Sequence, residues 1–300
     1  MRCRTMRNQA IVGWTRFGPG VFGTILVAMA CGVLVLYPAA QRAGGKPQHL
    51  NHIIEQFEQA KPAVANEHWV FLTLTNNPFI LPDVQKQLAS LRVEGARPKI
   101  APIIRIAEWG GQDYEHVVKQ FLSAGAMGII VPEVSTKEQV RKLTKAMRWP
   151  PQRAGYFTAP PTGDRGCCPG DAPRYWGLSL HDYFVQSDLW WPGHPNGNLL
   201  ALVMVESREA IKNIDGILSE PGLAGVLIGP HDLSMDLGVG KPESNPGAPE
   251  VEEATATVAK ACVAHKAMCG TFSTTQPFDA RLKQGFKLFP LPRGSYGKPS

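Results

Sequence analysis

The stretch LLALVMVESREAIKNIDGILSEPGLAGVLIGPHDLS, residues 199–234, decides the fold class of this chain. It contains two apolar runs that are too short for globular helices and typical of buried strands, with a helical pattern between them. Glu206 ends the first run and Asp232 follows the second. Acidic residues that end buried strands in such an alternation lie where open α/β sheets and barrels carry their chemistry. Glu206 and Asp232 are therefore the first candidates for a metal site.

The same alternation extends over most of the chain. Short apolar runs predict strands at 23–29, 69–75, 100–106, 128–134, 199–206, 225–228 and 267–272. Helical patterns between most of these runs indicate parallel strands joined by crossovers, and Ser135 with Glu138 has the spacing of a capping box. The number of units favours an α/β fold of the (β/α)8 TIM barrel type over an open sheet. We predict a basic segment at 1–20, the barrel at 21–292 and a tail at 293–300.

Residues 149–198 interrupt this alternation of strands and helices. The segment is rich in proline and in tyrosine and tryptophan, so it is neither one regular helix nor one strand. Connections of this length are usually functional or disordered, and the aromatic content argues against disorder. Two interpretations stay open: a lid or subunit contact, and an ordered excursion that packs its aromatic side chains on the barrel.

The composition limits the class of protein. Three hundred residues with 44% hydrophobic and 19% charged content describe a globular chain long enough for one large α/β domain. The net charge is +6, but Arg2, Arg4, Arg7 and Arg16 supply four of these charges within the first 16 residues. No basic run with interleaved aromatics occurs, so we predict no nucleic-acid partner. The six cysteines show no CxxC pair and no zinc-type spacing. A reducing, cytoplasmic compartment fits this cysteine usage best.

The N-terminal region leaves an alternative location open. Residues 17–41 carry no charge, and arginines precede them, as in a signal peptide or a membrane anchor. The stretch is interrupted by Gly18, Pro19, Gly20, Gly23 and Gly32, and its apolar centre is at the short end for spanning a bilayer. The other interpretation is a buried first strand of the barrel. We predict a cytoplasmic protein without a membrane partner, with the N-terminal signal or anchor as the alternative.

Arg105 ends a third apolar run, APIIRI at residues 101–106. A guanidinium at the end of a buried strand needs a partner, and its planar shape matches a carboxylate or an enolate oxygen. In a barrel, Arg105 would emerge at the same rim as Glu206 and Asp232. Two carboxylates without a neighbouring thiolate suit a hard cation such as Mg²⁺ or Mn²⁺. By spacing alone, a structural ion pair between Arg105 and one of the acids is an equal alternative.

The order of the motifs resembles the HpcH/HpaI aldolase family, which comprises metal-dependent 2-oxo acid aldolases related to citrate lyase β-like and other pyruvate or phosphoenolpyruvate barrels. The resemblance extends over about residues 100–289, and the ordered series is specific as a set. The matching pieces are IIRI at 103–106, SAGAMGIIVPEVSTKEQV at 123–140, RWPP at 148–151, DRG at 164–166, RYWG at 174–177, VMVES at 203–207 and GPHDLS at 229–234.

This resemblance implies a set of site residues. Glu206 and Asp232 would be the ligands of a divalent cation, Mg²⁺, Mn²⁺ or Co²⁺, and Arg105 would be the catalytic residue that binds the oxo or enolate oxygen. Backbone amides near Gly166 and His231 would hold the substrate carboxylate. The implied reaction is the reversible cleavage of a small 4-hydroxy-2-oxo acid into pyruvate and an aldehyde, by a protein that forms a homo-oligomer.

One stretch departs from the family pattern. The family carries an Asp-x-Glu-His segment at the end of its second strand, whose histidine serves acid and base steps. The corresponding residues here are Thr73, Leu74, Thr75 and Asn76. Asn76 hydrogen-bonds but takes no proton at neutral pH. This departure adds the alternative of a catalytically weakened barrel that binds metal and oxo acid. A coenzyme A ester lyase of the same superfamily is a further alternative, because the sequence does not distinguish it from a free-acid aldolase.

Overall fold

The computed structural model describes residues 49–74, 81–151 and 162–298. All strands found there belong to one parallel sheet with the neighbour order β1-β8-β7-β6-β5-β4-β3-β2. A parallel bridge between Ala65 and Trp69 brings its two edges together, so the sheet is a nearly closed barrel. The predicted (β/α)8 class is confirmed. The strands are β1 (Ala63–Val64), β2 (Trp69–Thr73), β3 (Ala101–Arg105), β4 (Gly128–Val131), β5 (Leu200–Val205), β6 (Leu223–Ile228), β7 (Met268–Thr271) and β8 (Leu288–Phe289).

Helices lie between most of the strands. The β1–β2 connection, residues 65–68, is an exception because it holds no helix. The helices in the described ranges are α1 (His52–Glu58), α2 (Leu81–Leu91), α3 (Glu115–Ala124), α4 (Lys137–Met147), α5 (Ala172–Trp176), α6 (Leu180–Gln186), α7 (Arg208–Lys212), α8 (Ile214–Leu218), α9 (Pro230–Asp236), α10 (Pro249–His265) and α11 (Phe278–Lys283), with a 3-10 turn at Arg293–Ser295.

The central strands are buried along their whole length. Every residue of β4, β5 and β6 is buried, as expected of parallel strands covered on both faces. The register of β5 and β6 pairs Met204 with Leu227 and Val205 with Ile228. The next residues along the two strands, Glu206 and Gly229, therefore lie side by side. Because all strands are parallel, their carboxyl ends share one rim of the barrel.

The structure confirms the strands predicted between residues 69 and 272. Their bounds are shorter than predicted except for β6, which begins two residues earlier, at Leu223. Strands β1 and β8 have two residues each and are too short to show a periodic pattern. The strand predicted at 23–29 and the segments predicted at 1–20 and 17–41 lie outside the described residues. No helix within the described ranges is long and apolar enough to cross a membrane.

Two local predictions on the helices are wrong in detail. The capping box of α4 is formed by Thr136 and Gln139, because the Ser135 hydroxyl is instead hydrogen-bonded to Ser207 at 2.9 Å. The helical pattern predicted between the strand that ends at Glu206 and the strand at 225–228 divides into α7 and α8 at Asn213. The side-chain amide of Asn213 donates a hydrogen bond from Nδ2 to the Ser135 backbone carbonyl at 2.9 Å. This bond connects the break between α7 and α8 to the loop after β4.

The described part of the proline- and aromatic-rich segment packs on the barrel. Trp176, Tyr183 and Trp190 are buried. Arg148 and Asp188 form a buried ion pair, with a distance of 2.7 Å between Nη2 and Oδ2. This packing matches the interpretation as an ordered excursion for residues 162–198. A lid or a subunit contact stays a prediction, and residues 152–161 lie outside the described ranges.

Candidate active site

A cavity of about 400 Å³ opens at the carboxyl ends of the strands. Its wall combines charged side chains from the strand ends with carbon-rich side chains from both sides of the barrel mouth. Arg105, Glu206 and Asp232, which the sequence places at three separate strand ends, all line this one cavity. The described lining residues are Phe71, Arg105, Met204, Glu206, Gly229, Pro230, His231, Asp232, Pro246, Phe272, Thr274 and Leu291.

Glu206 follows β5 and is held between two neighbouring loops. Its side chain is buried, and Oε2 accepts a hydrogen bond from the Glu133 backbone amide at 2.8 Å. Glu133 has a φ of 50°, a left-handed backbone that is uncommon for a residue with a side chain. A Cβ added at Gly229 would lie 2.1 Å from Glu206 Oε1. Glycine at 229 therefore leaves the space that this carboxylate occupies.

Burial raises the pKa of Glu206 to about 7. The Glu133 amide and the Arg105 charge favour the ionised carboxylate, whereas the Asp232 charge disfavours it. Burial and the like charge together outweigh the two stabilising contacts. The raised pKa therefore reflects mainly the removal of the Glu206 carboxylate from water.

Arg105 ends β3 and is half-buried beside the two acids. Its Nε donates to Thr73 Oγ1 at 3.0 Å, and its guanidinium lies 5.7 Å from the centre of the Phe71 ring. Burial lowers the pKa of Arg105, while Glu206 and Asp232 act in the opposite direction. Among the described residues, Arg105 has no carboxylate within ion-pair distance. The alternative of a structural ion pair between Arg105 and one of the two acids is therefore not supported by the structure.

Asp232 and His231 lie in the first turn of α9 and are both exposed. Pro230 is the first residue of this helix, where its missing N–H is tolerated, and Asp232, two residues later, lines the cavity. The His231 ring is hydrogen-bonded to Ser244, with 2.7 Å between Nδ1 and Oγ. His231 thus contributes to the wall, with its ring held by the loop after α9.

Gly166 lies away from this cavity. The backbone amides of Asp164 and Arg165 donate to the carbonyls of Lys145 and Arg148 at 3.0 and 2.9 Å. Helix α4 begins near the carboxyl end of β4 and runs back along the barrel. Lys145 and Arg148, at the end of this helix, therefore lie toward the amino ends of the strands. A Cβ at Gly166 would lie 2.4 Å from Lys119 Nζ on α3. The structure does not bring Gly166 together with the other candidates.

The segment that departs from the family pattern begins at the cavity. Thr73, the last residue of β2, accepts the hydrogen bond from Arg105. Asn76 itself lies outside the described residues.

Sequence reasoning missed the carbon-rich part of the wall. The Phe71 and Phe272 rings lie 5.3 Å apart, and Leu291 and Pro246 extend the same surface. Phe71 occupies a strand position two residues before Thr73, which places both on one face. That alternation was a usable signal for Phe71, whereas Leu291 and Pro246 lie on loops without a pattern.

The donor set fits a hard divalent cation. Glu206 and Asp232 offer carboxylate oxygens, and no thiol lines the described cavity. Within the described ranges no group of three or more His, Cys, Asp or Glu side chains is placed to hold a metal. Mg²⁺ is commonly held by one or two carboxylates, with water and substrate oxygens as its other ligands.

A parallel barrel with an arginine and two carboxylates at its carboxyl rim defines an enzyme-type site. Residues 80–287 match the family model for HpcH/HpaI aldolase/citrate lyase. The chain belongs to this family.

One curated relative and two solved structures show what this chain is similar to. The chain is 31% identical to 2-keto-3-deoxy-L-rhamnonate aldolase of Salmonella typhimurium over 202 residues, which is 67% of this chain and 63% of the relative. It therefore spans less than two thirds of that relative's length. An HpcH/HpaI aldolase from Desulfitobacterium hafniense is similar with a TM-score of 0.62 and 18% identity, covering 79% of this chain and 89% of that one. Citrate synthase SbnG has a TM-score of 0.60 and 19% identity, covering 82% and 92%. These two structures support the fold alone.

Proposed function

We propose that this protein is a divalent-metal-dependent carbon–carbon lyase. It cleaves a 4-hydroxy-2-oxo acid reversibly into pyruvate and an aldehyde. The convergence of Arg105, Glu206 and Asp232 on one cavity supports the proposal most directly. Membership of an aldolase and citrate lyase family supports the same class of reaction.

Glu206 and Asp232 would hold the cation. When bound there, Mg²⁺, Mn²⁺ or Co²⁺ supplies a Lewis acid for the substrate oxygens. Glu206 is positioned for this role by the Glu133 amide on Oε2 and by the space at Gly229 beside Oε1. Asp232 reaches the same cavity from the first turn of α9.

Arg105 would bind the 2-oxo oxygen. Cleavage of the C3–C4 bond leaves its electron pair on C3, and the charge passes to the oxygen on C2 as an enolate. The Thr73 hydroxyl holds Nε, so the guanidinium is oriented before substrate arrives. A positively charged group that is already oriented, such as this guanidinium, stabilises the developing negative charge more than a mobile one does. The backbone amide of His231, at the start of α9, would hold the substrate carboxylate.

The C4 hydroxyl must lose its proton during cleavage, and this step favours a second candidate function. The family carries its histidine after the strand that corresponds to β2, which ends here at Thr73. The His231 ring is hydrogen-bonded to Ser244. These features fit a barrel that binds the cation and the oxo acid but converts the oxo acid slowly. A coenzyme A ester lyase stays a further alternative from the sequence.

Pyruvate release from 4-hydroxy-2-oxo acids tests the proposal. We expect activity with Mg²⁺, Mn²⁺ or Co²⁺ that is lost with EDTA and in Asp232→Ala. Asp83→Ala, which removes a carboxylate on α2 with 58% exposure, is the matched control and should retain activity. Activity that survives both EDTA and Asp232→Ala would contradict the mechanism.

Asn76→His separates the two candidate functions. If a proton acceptor alone is missing, we expect the substitution to raise kcat by roughly 10²-fold or more, the usual contribution of a positioned acid–base group. Unchanged turnover would show that the site is altered beyond this position. The predicted homo-oligomer and cytoplasmic location stay predictions.

A further inference from the structure

We propose that the aldehyde partner in this reaction carries an apolar substituent, aliphatic or aromatic, instead of a hydroxylated chain. This inference rests on the proposed lyase function and names its substrate class. It follows from the division of the cavity wall into a charged part and a carbon-rich part.

The two parts of the wall come from different strands. Arg105 ends β3, Glu206 follows β5 and Asp232 lies just after β6. These strands belong to the contiguous part of the sheet β3-β4-β5-β6. Phe71 belongs to β2 and Phe272 follows β7, on either side of that group. Among the described lining residues, the Thr274 hydroxyl is the one polar side-chain group on the carbon-rich part.

The aromatic surface is held firmly by its neighbours. The Phe71 and Phe272 rings are tilted by 54° with centres 5.3 Å apart, and Trp69 packs edge-on against Phe71 at 5.9 Å. Trp69 is fully buried, whereas Phe71 and Phe272 are half-buried. Each ring therefore packs on the core with one side and leaves surface toward the cavity.

The reaction places the aldehyde substituent against this surface. In the synthetic direction, a C–H bond of the pyruvate methyl breaks and the carbon forms a bond to the aldehyde carbonyl carbon, whose oxygen takes up a proton. The 2-oxo group and carboxylate of pyruvate occupy the charged part. A hydroxylated substituent on the carbon-rich part would lose hydrogen bonds to water and find few replacements among the described lining residues. An alkyl or aryl group gains by burial.

A series of unbranched aldehydes tests this inference in the wild-type protein. Propanal, butanal, pentanal and hexanal have similar carbonyl reactivity and differ in methylene number. With pyruvate and Mg²⁺, we expect kcat/KM to rise about fourfold for each added methylene that is buried. Glyceraldehyde and erythrose should react more slowly than propanal and butanal. A flat series, or faster reaction of the hydroxylated aldehydes, would overturn the inference.

Variants locate the effect on the aromatic wall. Phe272→Ser should flatten the series, because it removes a ring and adds a hydroxyl. Leu291→Ser, on a loop after β8, tests the same wall if Phe272→Ser does not fold. Val263→Ala on α10, where the valine is 60% exposed, is the matched control and should keep the wild-type slope. An unchanged slope in folded Phe272→Ser and Leu291→Ser would contradict the assignment.

Deuterium exchange of the pyruvate methyl protons separates the two levels of failure. This exchange, followed by NMR in D₂O with Mg²⁺, reports enolate formation and needs no aldehyde. Exchange with a flat aldehyde series would overturn the apolar partner and leave the lyase proposal standing. The absence of both exchange and aldol product would contradict the lyase proposal and the inference that rests on it.

Discussion

At the scale of single residues, Glu206 couples the site to the stability of the metal-free protein. Its pKa is raised to about 7 by burial, above its ordinary value of 4.5. The native state therefore binds more protons than the unfolded state between these values. This contribution to stability is fully present below pH 4.5 and is lost as the pH rises through 7.

We predict a pH-dependent difference between the wild type and Glu206→Gln. In EDTA, the wild type should lose on the order of 3 kcal/mol of unfolding free energy relative to Glu206→Gln between pH 4.5 and pH 8. Urea denaturation of both proteins across this range measures the difference. Parallel pH profiles for the two proteins would show that Glu206 ionises normally in the native state.

Gly229 is a second residue whose role is local and testable. Gly229→Ala places a Cβ where Glu206 Oε1 lies, so the carboxylate must move away from its position. We expect Mn²⁺ affinity to fall at least tenfold, about 1.4 kcal/mol, in a titration calorimetry experiment. Gly216→Ala on α8, where the added Cβ meets nothing within 4 Å, is the matched control. Wild-type affinity in Gly229→Ala would argue against Glu206 as a ligand.

At the scale of elements, the β7–α11 loop is anchored by a buried cluster. Arg281 is fully buried, and its Nη2 donates to Glu252 Oε1 at 2.7 Å and to Ser273 Oγ at 2.6 Å. Burial would raise the pKa of Glu252, but the hydrogen bonds from Arg281, Thr275 and Ser273 outweigh it, and the pKa is lowered. The cluster thereby ties α10 and α11 to the loop whose Phe272 and Thr274 line the cavity.

Removing the cation from this cluster should destabilise the fold. Arg281→Met leaves Glu252 without its charged partner, and we expect a loss of about 3 kcal/mol in urea denaturation. Arg293→Met is the matched control, because Arg293 and Glu67 form an ion pair at 50% and 44% exposure and such pairs contribute at most about 1 kcal/mol. Equal losses in the two variants would mean that the Arg281 cluster does not anchor the loop.

Some secondary-structure elements could be predicted from the local sequence pattern, and others could not. The strands around Arg105 and Glu206 are continuous apolar runs, so their ends were visible in the sequence. Strands β1 and β8 were not, because two residues carry no period. The capping box moved by one residue, since the Ser135 hydroxyl is engaged by Ser207 from the next strand end.

At the scale of the whole molecule, the proposed cation joins the residue after β5, Glu206, to the first turn of α9, which holds Asp232. The two carboxylates lie on one cavity only in the folded chain, so binding should stabilise the native state. At 100 times its Kd, Mn²⁺ should add about 2.7 kcal/mol. This corresponds to a rise in Tm of roughly 5–10 °C for a domain of this size. Differential scanning calorimetry with Asp232→Ala, which should show no rise, and with Asp83→Ala, which should show the full rise, provides the measurement.

The sequence by itself determined the barrel class and the rim position of Arg105, Glu206 and Asp232. Both follow from local properties: apolar runs bury strands, and the residue that ends a run lies where the strand leaves the core. Only the tertiary structure decided that Gly166 lies beside α3 and that Phe71, Phe272 and Leu291 form one wall. These placements depend on how distant segments pack against each other, and packing across the barrel leaves no period in the chain.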